Sequence, residues 1–180
     1  MNARLPSPRL WLDPPVAADE AFYVALYTDP ATMRHVAAPQ SVDAARRGFA
    51  AALRLDAEEP PQRRFWVLRS KDDGERIGLL GLHIDAEGRG EVGAVIVPSH
   101  QGRGHSTAAI GALADHAFDT LGLQCLHTRH DGGNGLAAGL MARVGFVCTA
   151  TADGATGWRW ELSPSHWRAL RAATTAERIR

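Results

Sequence analysis

Two glycines flank an arginine in Gln101-Gly102-Arg103-Gly104-His105-Ser106-Thr107, which Pro98-Ser99-His100 joins to the β-branched run Val95-Ile96-Val97. Glycines let successive backbone N–H groups point into one concavity without a Cβ in the way. A helix beginning there adds free N–H groups and the positive end of its dipole. Together they make an anion site, most naturally for phosphate, and Arg103 supplies a cation that can reach a phosphate oxygen. Taken alone, the loop also fits a plain glycine-rich connecting turn. It is not a Walker loop, which ends in Gly-Lys-Ser/Thr, and it misses the dinucleotide fingerprint because Thr107 stands where a third small residue is needed. A nucleotide-binding protein is therefore a weak reading.

The elements around this loop follow from periodicity and punctuation. Residues 9–12 alternate and stop at Pro14-Pro15, a short first strand. Residues 17–27 carry apolar residues at helical spacing and end at Thr28-Asp29-Pro30. Ser41 is placed to cap a helix running to about Asp56. Residues 65–69, 76–84 and 91–97 read as strands joined by polar, glycine-bearing turns, and Gly93 suggests a bulge or a close backbone approach. A helix over 106–120, a strand at 125–129 and a helix from Asn134 to Arg143 follow, with Gly145 at the C-terminal cap position. Strands at 146–150 and 158–162 precede a short helix and a basic tail. The order is that of an α/β protein with a mixed sheet.

The chain has 180 residues, which suits one domain with a full core. Twenty basic and twenty acidic residues balance, so no chain-wide attraction to nucleic acid or anionic membrane is expected. No apolar run reaches membrane-spanning length, and the opening residues lack the apolar region of a secretory signal. Cys125 and Cys148 make no disulfide framework and read as small core residues on adjacent strands, fitting a reducing, cytoplasmic setting.

One strand after the glycine loop stands Asn134-Gly135-Leu136-Ala137, and Gly145-Phe146 follows at a fixed distance. With Gln101, Gly104 and Ser106 in the loop, this pattern resembles the GNAT superfamily of N-acetyltransferases. It looks most like the branch that acetylates the alanine or serine ends of ribosomal proteins. Thr28-Asp29-Pro30-Ala31-Thr32-Met33, the hairpin at 74–78 and Trp167 extend the likeness over about residues 9–168. Ser106 and Ala137 depart from the pattern. The resemblance implies one GNAT domain over 1–180, with a basic tail over about 169–180. Its sheet would have about seven strands flanked by about four helices, splayed between the strands around 91–97 and 125–129.

It also implies transfer of an acetyl group from acetyl-CoA to a primary amine, either a protein N-terminus or a small molecule, with no metal. The amides of Gly102 to Ser106, with Gln101, Arg103, His105 and Thr107, would hold the pyrophosphate of CoA. Its amide-bearing arm would pair with an open edge at Val95, Ile96 and Val97. Asn134 would hydrogen-bond that arm or cap the following helix. A carboxylate taking the proton of the acceptor ammonium is needed. Glu91 is the first candidate, although it also reads as a solvated strand-end glutamate. His83 is a weaker rival, and Asp85 and Glu87 read as turn residues. Ala137 replaces a serine that would protonate the leaving thiolate; Cys148, Ser106 or water are substitutes. The same replacement favours an alternative, an acyl-CoA-binding sensor of the same fold with little catalysis. His127 and His130 fall on opposite faces of a strand, so zinc is not expected. Trp66, Trp158 and Trp160 line the core or the cleft. Homodimers are common in the family, and no interface is legible here.

Overall fold

The computed structural model describes residues 2–60, 62–131, 134–149 and 157–178. The described elements are β1 (Leu5–Pro6), β2 (Leu10–Asp13), α1 (Glu20–Thr28), α2 (Pro30–Met33), α3 (Val42–Asp56), β3 (Arg63–Ser70), β4 (Arg76–Ile84), β5 (Arg89–Ile96), α4 (His105–Asp119), β6 (Cys125–Asp131), α5 (Gly135–Val144), β7 (Val147–Thr149), β8 (Gly157–Leu162) and α6 (Pro164–Arg178). All eight strands lie in one sheet, in the order β1-β2-β3-β4-β5-β6-β8-β7. Neighbours are antiparallel except β5 and β6, which run parallel and are bridged by α4.

Each face of the sheet is covered by its own helices. Ala109, Ile110, Leu113, Ala117 and Phe118 repeat at helical spacing on α4 and bury against Leu12, Trp66, Leu68, Leu80, Val92 and Ile96. Trp167 of α6 joins that core, and its indole N–H donates to Asp115 Oδ1 at 2.9 Å. On the opposite face, Leu26 of α1 packs on Val67, Leu79 and Val95, with Tyr23, Tyr27 and Phe65 alongside. Strand alternation assigns every sheet residue to one of these two faces.

Local chemistry sets the boundaries. Ser41 Oγ accepts from Ala44 N–H at 3.3 Å and starts α3. Gly145 follows α5 in the left-handed region with φ 104°, the usual helix stop. Asp29 does more than break α1: its carboxylate accepts from the N–H groups of Ala31 and Thr32 and starts the four-residue α2, which the sequence reading missed. The sequence reading also missed β1, because two residues cannot show an alternation.

Asp19 is buried at the start of α1, where it accepts from Arg69 Nη2 at 2.8 Å and Arg76 Nε at 2.6 Å. It also accepts from Val16 N–H at 3.0 Å. This anion clamps the first helix to β3 and β4. Asp19→Ala removes the shared partner of two partly exposed guanidinium groups, of which Arg69 keeps Asp13 at 3.0 Å, and is expected to cost about 1–3 kcal/mol, measured by urea unfolding.

The open mixed sheet flanked by helices is as expected: the described residues form eight strands and six helices, close to about seven and about four. Other expectations are corrected. Gly93 makes no bulge: the β4–β5 register runs unbroken from Gly78↔Ile96 to Ile84↔Gly90. Cys125 and Cys148 are not on adjacent strands, since β8 lies between β6 and β7, and Cys148 is exposed. Helix α6 continues to Arg178 where a short helix and tail were expected; Trp167 and Leu170 anchor it to the core. Among the described residues, no helix is long and apolar enough to cross a membrane.

Candidate active site

The parallel pairing of β5 with β6 covers only Arg89↔Cys125, Gly90↔Leu126 and Glu91↔His127. Beyond that, β5 stays with β4 while β6 follows β8, so the two strands diverge into a V. This is the splay expected between 91–97 and 125–129. Glu91 sits at its apex.

From Val92 to Ile96 the side of β5 facing β6 has no strand partner among the described residues. Val97 N–H donates to Ile77 O at 2.9 Å, which fixes the alternation. The backbone groups of Gly93 and Val95 turn toward β4, and those of Val92, Ala94 and Ile96 turn into the V. Gln101 Nε2 donates to the Ile96 carbonyl at 2.9 Å, so the Gln101 side chain props the loop. Val97 lies just past the strand and packs between the two cores.

Where the V widens, the chain passes through the turn at Pro98–His100 and enters α4. Gly102 and Gly104 hold φ of 73° and 80°, values that a side chain resists. Gly104 is the N-cap and offers no side-chain cap. The first helical bond runs from Ala108 N–H to Gly104 O at 3.0 Å, so the N–H groups of His105, Ser106 and Thr107 precede the ladder. All three residues line the cleft. Arg103 is exposed at the rim instead; its carbonyl accepts from Arg9 Nη1 at 3.2 Å. Asn134 Oδ1 caps α5 by accepting from Ala137 N–H at 3.0 Å, and Asn134 and Ala137 both line the opposite wall.

At the apex, the register places His83, Glu91, His127 and Glu161 in one row across four strands. They project from the α1/α3 face, away from α4. Glu91 Oε1 lies 3.6 Å from Arg129 Nη2, and the Glu91 side chain is 38% exposed. His83 is exposed directly opposite Glu91. Asp85 accepts from the N–H groups of Glu87 and Arg89, as a turn residue does, and Glu87 is exposed. Beside Glu91 the floor is bare: Gly81 faces Gly93, and a Cβ added to Gly93 would meet nothing within 4 Å. Trp160 donates its indole N–H to His130 Nε2 at 2.9 Å, and Trp158 is exposed.

The α1/α3 wall carries residues that the sequence reading did not single out. Tyr23 and Tyr27 stack with ring centroids 4.5 Å apart, and burial pushes both phenols up, so they stay protonated. Arg34, Arg63 and Arg129 also line the cleft. Arg129 lies two residues past His127 on the same face of β6.

His105 and His127 are held below the ordinary histidine value mainly by burial, reinforced by His100 and Arg103 at the first and Arg159 at the second. His116, under Trp66, is lowered by burial and by Arg64. The unfolded chain therefore takes up protons before the folded one does. Stability is complete above the unfolded value of 6.5 and falls as pH drops below it. The melting temperature is expected to be lower at pH 5.5 than at pH 7.5, with part of the difference removed in His116→Gln.

This geometry, an open V in a mixed sheet ending at an uncapped helix mouth, defines a class of acyltransferase folds. The chain belongs to the GNAT acetyltransferases: the family model described as Acetyltransferase (GNAT) domain matches residues 9–147. A search of the curated proteins finds no match. Among solved structures, an acetyltransferase from Agrobacterium tumefaciens is 24% identical, with TM-score 0.77 over 90% of this chain and 95% of that one. A spermidine N-acetyltransferase from Vibrio cholerae, solved with CoA and spermine, is 22% identical, with TM-score 0.75 over 88% and 98%. A GNAT acetyltransferase from Bacillus anthracis is 12% identical, with TM-score 0.74 over 89% and 98%. At these identities the likeness is one of fold.

Proposed function

We propose that the protein transfers an acetyl group from acetyl-CoA to a primary amine by direct attack within a ternary complex. The observation that carries this reading is the V between β5 and β6. It has an uncapped helix mouth at its wide end and a carboxylate at its apex. The N–H groups around Gly102 to Thr107 receive the pyrophosphate. The outward N–H and C=O groups of Val92 and Ala94 pair with the amides of the pantetheine arm, as an added strand would. The Asn134 amide lies on the opposite wall to meet the same arm. Acetyl-CoA supplies the activated thioester.

Glu91 takes the proton from the acceptor ammonium. The free amine then attacks the thioester carbonyl, the C–S bond breaks, and the second proton that the nitrogen sheds on becoming an amide passes through water to the leaving thiolate, since Ala137 offers no hydroxyl. His83 stands beside Glu91 as the alternative base. We read the single domain as spanning 1–180. The acceptor is a protein N-terminus, as in the ribosomal-protein branch, or a small amine.

Calorimetry with CoA tests the cofactor assignment. The wild type is expected to bind one CoA per chain. Gly104→Val, which forces a side chain to φ 80°, is expected to bind at least about tenfold more weakly for a stability cost of about 1–2 kcal/mol. Ala137 favours one rival, a sensor that binds acyl-CoA without turnover. Thiol release with a panel of amines separates the two, because a sensor releases none.

A further inference from the structure

The cleft is sharply asymmetric in charge although the chain is neutral overall. Six arginines line it (Arg9, Arg34, Arg63, Arg64, Arg129 and Arg143), and among the described residues Glu91 is the only carboxylate that does. These cations do not all serve one end. Arg9 lies by the α4 mouth, where it holds the Arg103 carbonyl. Arg64 is buried and committed to the Asp56 and Glu58 carbonyls and to Glu59. Arg63 and Arg129 differ from both. Strand alternation puts Arg63 with Val67, and Arg129 with His127, on the α1/α3 face, away from α4 and its anion site. Arg34 stands at the end of α2, against the same wall.

The register gives the spacing. Arg63 is paired with His83, and His83 with Glu91, so Arg63 is two strand spacings, ~10 Å, from the carboxylate at backbone level. Arg129 approaches Glu91 from the other side at 3.6 Å. Arg63 and Arg34 are exposed and have no carboxylate partner among the described residues. A pyrophosphate held at α4 lies on the far side of the V from them, so it does not explain them.

We infer that the acceptor is a small amine bearing a carboxylate within about 10 Å of its nitrogen, ammonium toward Glu91 and carboxylate toward Arg63. The inference rests on the acetyltransferase reading of the same cleft. An ammonium at Glu91 replaces Arg129, whose contact there is long and solvent-exposed. The displaced Arg129 guanidinium returns to water. A polycation such as spermine, bound by the Vibrio cholerae enzyme of similar fold, would instead place further positive charge against Arg63, Arg34 and His83. Tyr23 donates its hydroxyl to Tyr27, which leaves the Tyr27 hydroxyl as an uncharged donor on the same wall, suited to a carboxylate oxygen.

The test uses the full chain loaded with CoA and two matched probes, L-glutamate and its diamide, which differ in charge but keep the same α-amine. Spermidine and an acidic tripeptide complete the set. Binding is read by calorimetry, and thiol release is read separately with acetyl-CoA. The expected result is at least about tenfold tighter binding of glutamate than of the diamide, the scale of a hydrogen bond to a charged group. That preference should shrink in 0.5 M salt and be lost in Arg63→Gln, with the diamide unaffected. Equal binding of the pair, tighter spermidine binding, an unchanged preference in Arg63→Gln, or a preference confined to the tripeptide would overturn the inference. Because binding is read without turnover, selective glutamate binding with no thiol release would sink the enzyme reading while leaving the carboxylate site in place. Thiol release confined to spermidine would do the reverse.

Discussion

Replacing Glu91 by glutamine is expected to lower kcat/KM for the amine by about 10²–10⁴-fold, the range contributed by a positioned general base. Glutamine keeps the shape but cannot take a proton. The loss should appear with CoA affinity unchanged, because Glu91 sits at the apex of the V and the α4 mouth lies at its wide end. Fold stability should hardly move, since the Arg129–Glu91 pair is solvent-exposed and worth less than about 1 kcal/mol. The variant's rate should climb with pH as the fraction of free amine climbs, about tenfold per unit below the amine's pKa. Steady-state rates from pH 6 to pH 9.5 check both features. A glutamine variant with wild-type rates would move the base to water or to His83, and His83→Gln would decide between them.

Gly93→Leu is expected to abolish transfer, by more than about 10²-fold, while the protein stays folded. The position has an ordinary backbone conformation, and a Cβ there meets nothing within 4 Å. Substitution should therefore leave stability unchanged or raise it by up to about 1 kcal/mol, because glycine is a poor strand residue. The new side chain would stand on the bare floor next to Glu91, where the amine and the thioester must come together. Gly93→Ala should show a smaller loss. A melting temperature at or above wild type, together with lost turnover, distinguishes a filled floor from a damaged fold. Wild-type turnover in Gly93→Leu would show that the reaction takes place elsewhere.

The same glycine shows where sequence reasoning reached and where it stopped. A lone glycine in a strand suggests a bulge. Gly93 is instead one half of a glycine pair with Gly81, twelve residues away, and only the register of β4 against β5 reveals it. Helices α3, α4 and α5 were legible to within about a residue because their caps and apolar spacing are local. The splay was anticipated from family likeness. Composition could not give it, since it depends on β6 preferring β8 to the far half of β5. Glu91 was noticed from its place in a strand. Its neighbour Arg129 was not, because nothing in a string of letters brings residues 38 positions apart to 3.6 Å. The wall formed by Arg34 and Arg63 is invisible for the same reason: two separate elements, the end of α2 and the start of β3, build it.

The short ladder between β5 and β6 also has a mechanical consequence. Strands β1–β5 and β6, β8 and β7 form two sizeable half-sheets stitched together over only three residue pairs. The shared core under α4 holds the two halves together, so the consequence falls on the gap itself: backbone amides along it are expected to exchange with solvent sooner than those in either half. A ligand lying in the gap bonds to both sides and acts as a rivet, so occupancy and stiffness rise together.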